Sequence, residues 1–126
     1  HKKIKMDRKD IGNLADIRYL IRLFHVAILN DPLTGPVFTG KIVLNDVDHF
    51  NKVCAFWEAA LLKAPHYSGN PFARYVPLAL TQDQYNKWLS IFETTVDTHF
   101  QGETAEEAKD QAHTLSNLLL FRLRLP

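Results

Sequence analysis

Two histidines carry the chemical signal of this sequence. His25 lies four residues after Ile21 and three before Ile28, so helical spacing turns it onto an apolar face. His49 lies four residues before Val53, at the inward edge of a second apolar stripe. An imidazole so placed needs a partner, because burying an unsatisfied polar group costs free energy. The chain is also rich in rings: eight Phe, two Trp and four Tyr accompany six His. The pattern describes either two separately satisfied core histidines or the wall of a pocket for a large planar apolar ligand. Such pockets are lined mostly by hydrophobic and aromatic side chains with a few placed polar groups.

Other chemistries have weaker support. A zinc site wants closely spaced ligands such as His-x-x-x-His, whereas these histidines are scattered at 25, 49, 66, 99 and 113. Gly35, Gly40 and Gly69 are isolated turn residues, not a phosphate-cradling loop, and there is no Gly-x-Ser-x-Gly elbow. Asp46 and Asp48 flank His49 but suit a helix start, where a carboxylate complements the helix dipole. Cys54 stands alone, without a cationic neighbour in sequence, and reads as a buried inert thiol.

Helices must position these residues. Leu14, Ile17, Ile21, Phe24 and Ile28 predict a helix over Asp10 to Asp31, with Arg18 and Arg22 on its solvent side and Asp31-Pro32 ending it. Leu33 to Pro36 is a turn, Val37-Phe38 an apolar anchor, and Thr39-Gly40 a further break. Asn45 or Asp46 caps a second helix, Val47 to Lys63, whose face is Phe50, Val53, Cys54, Trp57 and Leu61. Pro65 stops it, the segment 66–71 is a loop, and 72–76 has room for one helical turn before Pro77. Thr81 with Gln84 opens a third long helix to about Phe100 with Tyr85, Trp88, Leu89, Phe92 and Val96 inward. Thr104 with Glu107 opens the last, to about Leu123, with Ala108, Ala112, Leu115 and Leu119 inward. No alternating strand pattern competes, so the fold class is all-α.

The 126 residues suit one domain, 10–126, behind a flexible basic tail, 1–9, that carries Lys2, Lys3, Lys5 and Arg8. A net charge of +1 leaves no basic excess for nucleic acid. No apolar run approaches a membrane span and no signal-peptide pattern opens the chain, so a cytoplasmic protein without membrane contact is expected.

A series of residues in order then matches a family. It runs Asp31-Pro32-x-x-Gly35-Pro36-Val37-Phe38, His49, Phe56-Trp57-x-x-x-Leu61-Leu62, Tyr67-x-Gly69-x-Pro71, and Trp88-Leu89-x-x-Phe92. This series, spanning about Ile11 to Leu123, resembles the group III truncated haemoglobins. The resemblance implies a shortened globin, a two-over-two helical sandwich around haem b, with a diatomic or other small ligand at the iron. It names no redox partner. It implies that His49 is the distal histidine and that Trp88 donates toward the bound ligand. Phe38, Phe56, Trp57, Phe72, Tyr85 and Phe92 become haem-pocket or core aromatics, and Lys52 and Arg74 candidates for the haem propionates.

Two positions depart from the family. Its distal tyrosine, directly after a phenylalanine in the first long helix, is here His25 after Phe24. Its iron-binding proximal histidine, four residues after the loop proline, is here Tyr75. Tyrosine is a known axial haem ligand, and an anionic phenolate favours ferric iron. Three expectations follow from the resemblance. Tyr75 is the iron ligand, with His25 and His49 opposite and peroxide or nitrogen-oxide chemistry open to it. Alternatively His49 or His25 binds iron and Tyr75 is pocket wall. In the third, a haem-free globin shell serves as a sensor or binding module. An ordinary dioxygen-binding globin is disfavoured by the missing proximal histidine.

Overall fold

The computed structural model describes residues 8–41, 46–63 and 71–123, apart from the side chains of Lys41, Arg74, Arg122 and Leu123. Five α-helices and one 3-10 helix make up the described fold, and no strand occurs among these residues. They are α1 (Leu14–Asn30), α2 (Gly35–Lys41), α3 (Val47–Leu62), the 3-10 helix Pro71–Leu78, α4 (Gln82–His99) and α5 (Glu103–Leu123). The helices α1 and α3 pack as one layer and α4 and α5 as the other, joined by contacts of α1 with α4 and of α3 with α5. The two-over-two sandwich expected from the sequence is therefore present. The 3-10 helix bridges α3 and α5, which places Tyr75 beside the layer that carries His49. No described helix is long and apolar enough to cross a membrane.

Local chemistry sets the ends of the elements. Asn13 caps α1 by accepting from the Asp16 N–H, so the helix begins at Leu14 rather than at Asp10. Asp31 closes the other end: its carboxylate accepts from the amides of Leu33 and Thr34 at 2.9 and 3.1 Å. Burial would raise the Asp31 carboxyl, but these hydrogen bonds and Lys87 outweigh it and hold the group below its ordinary range. The Thr34 hydroxyl donates to the Ile28 carbonyl at 2.8 Å, pinning the turn to α1. Gly35 is required there, since a Cβ would stand 2.5 Å from the Leu29 carbonyl oxygen. The break expected at Thr39-Gly40 is absent: α2 runs through both residues to Lys41. A single interior glycine weakens a helix by only about 1 kcal/mol, and Phe38, fully buried, holds this one down.

Asp46 caps α3, its carboxylate accepting from the His49 N–H at 3.2 Å. The Tyr67-x-Gly69 part of the loop and Pro65 lie outside the described residues. The turn expected at 72–76 is longer, a 3-10 helix that carries Pro77 inside it. The Thr81 and Gln84 capping box forms in both directions. The second box, at Thr104 and Glu107, does not open α5, because the helix starts one residue earlier, at Glu103. Its cap comes instead from the other end of the chain. The Asp10 carboxylate accepts from the Thr104 and Ala105 amides at 2.9 and 2.8 Å. Gly102, at φ 138°, permits this, since a Cβ there would meet the Asp10 carboxyl carbon at 2.5 Å. The Gln101 N–H donates to the Lys9 carbonyl at 2.9 Å beside it, so this docked stretch includes a residue of the segment 1–9.

Candidate functional site between the third helix and the 3-10 helix

His25, His49 and Tyr75 come together from three separate elements. Residue spacing on α1 turns His25 inward with Phe24 and Ile28, and α3 does the same for His49 with Val53. The 3-10 helix supplies Tyr75. The His25 and His49 rings lie nearly parallel, with centroids 6.2 Å apart and 14° between planes. The His49 and Tyr75 centroids are 6.4 Å apart at 48°. His49 is 0% and Tyr75 1% exposed, so both polar rings sit wholly inside the protein.

The aromatic side chains form a closed circuit through these three residues. From Tyr75 it passes to Phe72, Phe56 and Trp57, then to Phe92 and Phe24, and returns through His25 and His49. Half of the eight steps are edge-to-face, an arrangement the ring quadrupole favours. Phe38 stands outside the circuit, edge-on to Tyr75 at 5.2 Å. Trp88 packs on Phe24 at 5.5 Å and on Phe92 at 6.4 Å, one ring removed from the histidines. Tyr85 is fully buried, and its hydroxyl has no hydrogen-bond partner among the described residues. Burial pushes its phenol up to about 12, so it stays protonated. Cys54 is buried as expected, and burial pushes its thiol up to about 11 against the pull of Arg18 and Arg22.

Not every expected site residue joins this cluster. Lys52 is exposed and pairs with Asp48 at 3.0 Å along the surface of α3. Arg74 lies on the 3-10 helix, one residue before Tyr75, but its side chain is outside the described residues. Sequence reasoning missed a surface pocket between α1 and α3, where Arg18 and Arg22 both lie over the Phe50 ring. The signal was present as two arginines four apart on one helix, which share a face.

The donor set can be tested against a haem iron. Imidazole nitrogen and phenolate oxygen are both haem ligands. Metal bonds of about 2 Å to each would set the two ring centres about 7.5 Å apart. The observed 6.4 Å falls about 1 Å short of that, so these residues would hold a haem only after Tyr75 and its neighbours moved apart to admit the macrocycle. The packing of Phe38 and Phe72 against Tyr75 resists that movement.

The class this fold defines is a truncated globin-like two-over-two sandwich. No family model matches the chain, and neither does any curated protein. A solved structure does: the group III truncated hemoglobin from Campylobacter jejuni, with a TM-score of 0.79 and 23% identity over 92% of this chain and 94% of that one. The likeness extends along nearly the whole of both chains and shows the fold.

Proposed function

We propose that this protein binds haem between α3 and the 3-10 helix, where Tyr75 would hold the iron and His49 would hydrogen-bond a small ligand or itself hold the iron. One observation carries the reading: an imidazole and a phenol, both buried and both of haem-ligand type, come together from separate elements with ring centroids 6.4 Å apart. His25 lies beside His49 with its ring nearly parallel and adds a second imidazole to the pocket wall. Phe56, Trp57, Phe72 and Phe92 keep water from the pair. Trp88, packed against Phe24, is proposed as a pocket donor from α4, and Arg74 as the cation for a propionate. Lys52 is already engaged by Asp48 and is the weaker of the two propionate candidates. Haem b is the form that the resemblance to the truncated haemoglobins implies. When bound, haem would supply a redox-active iron open to small ligands such as peroxide or nitrogen oxides. A buried phenolate on one face would stabilise the ferric state, because an anionic donor offsets the iron's positive charge.

Absorption spectroscopy of the purified chain titrated with ferric haem tests the proposal. The expected result is stoichiometric uptake with a phenolate-to-iron charge-transfer band that Tyr75→Phe removes. Weakened uptake in a folded His49→Ala variant, with the charge-transfer band retained in the haem it still binds, would assign the imidazole. An unchanged spectrum in Tyr75→Phe refutes tyrosine ligation and leaves His49 or His25 as the donor. A second reading, a haem-free globin shell acting as a binding module, is favoured by the edge-on closure of Phe38 and Phe72 on Tyr75. Absence of any saturable uptake would establish that reading instead.

A further inference from the structure

The surface pocket between α1 and α3 has a chemistry of its own. Its volume is about 330 Å³, and Arg18, Arg22 and His25 line it together with Val26, Leu29 and Phe50. The two guanidinium carbons stand 5.0 and 4.9 Å from the centre of the same Phe50 ring. Arg18 donates to the Asn51 side-chain oxygen at 3.0 Å, and neither arginine pairs with a carboxylate among the described residues. Like charges one helical turn apart repel, so two guanidiniums gathered on one ring without an acid leave an uncompensated positive site. The cationic side chain of another surface pocket is different. There Lys87 is paired with Asp31 at 3.6 Å. A third pocket, lined by Gln82, Asn117 and Phe121 among others, carries no charged side chain.

We propose that the pocket between α1 and α3 binds a carboxylate with an apolar body of medium chain length. Arg18 and Arg22 bridge the carboxylate, since guanidinium forks match its geometry with paired hydrogen bonds. Val26, Leu29 and Phe50 cover the apolar body, and His25, only 5% exposed, closes the inner end. A bare inorganic anion would meet the arginines but leave the apolar wall wet, which is why the ligand is amphiphilic. His25 is shared with the aromatic circuit, whereas Arg18, Arg22, Val26 and Leu29 lie outside it.

The test is a titration of the purified chain with sodium octanoate, followed by amide NMR, with 1-octanol and inorganic phosphate as comparators. The expected result is saturable shifts centred on Arg22, Val26 and Phe50, with octanol and phosphate each at least tenfold weaker. Arg18→Gln with Arg22→Gln should weaken octanoate at least tenfold. Should that pair fail to fold, Val26→Glu at the exposed rim places a repelling carboxylate in the pocket and should do the same. No saturable shift, octanol as tight as octanoate, phosphate as tight as octanoate, or folded variants with unchanged affinity would each overturn the proposal.

Discussion

Tyr85 shows how a single residue can work against the core that holds it. Its ring is fully buried on α4, while its hydroxyl lacks a partner among the described residues. A buried hydroxyl without a hydrogen bond forfeits its hydration, a penalty of about 1–3 kcal/mol. Removing the oxygen keeps the ring and its packing. Tyr85→Phe should therefore be neutral or stabilising by about 1 kcal/mol in urea unfolding, where most core substitutions destabilise. A loss of more than 1 kcal/mol would show that the hydroxyl is engaged in the folded protein. His25, His49 and Tyr75 are a different case. They are buried side by side on three separate elements, each ring next to another polar ring.

At the scale of elements, the last helix depends on Asp10, which lies ahead of the first helix. Asp10 supplies two hydrogen bonds to the opening turn of α5 from more than ninety residues away, and Gly102 clears the space for it. Asp10→Ala should cost about 1–2 kcal/mol, the usual range for a lost helix cap, read as a shift in the urea midpoint. Asp10→Asn, which keeps one acceptor oxygen, should cost less. An equal loss in both would mean that charge, not hydrogen bonding, dominates. The same cap explains where sequence reading reached its limit. Periodic apolar faces and local caps made α1, α3 and α4 legible to within a few residues, because both act over one or two turns. The start of α5 was set by a contact distant in sequence, which no local pattern encodes. The helix α2 was hidden for a similar reason: Phe38 is held by burial among distant residues, while its neighbours Pro36 and Gly40 read as turn formers. Of the site, His25 and His49 were visible from their spacing. Tyr75 was visible only through the family pattern, since a tyrosine in a short proline-flanked segment carries no periodic signal.

For the molecule as a whole, the question is whether the aromatic circuit is a filled core or one that opens for haem. The two alternatives differ in thermodynamics. A ligand that binds only the folded state stabilises it by RT ln(1 + [L]/Kd), about 2.7 kcal/mol at one hundred times Kd. In a domain of this size each kcal/mol raises the melting midpoint by several degrees, so saturating haem should lift it by roughly 10 °C. The contacts Tyr75 must give up with Phe38 and Phe72 weaken Kd itself, so they raise the haem concentration needed to reach that rise. The combined variant His49→Ala with Tyr75→Phe removes both proposed donors and should show no haem-dependent rise. A midpoint that haem leaves unchanged in the unaltered protein would mean that the ring contacts outweigh the iron bonds. The sandwich would then be held by its own side chains, with His49 and Tyr75 as polar members of a closed core.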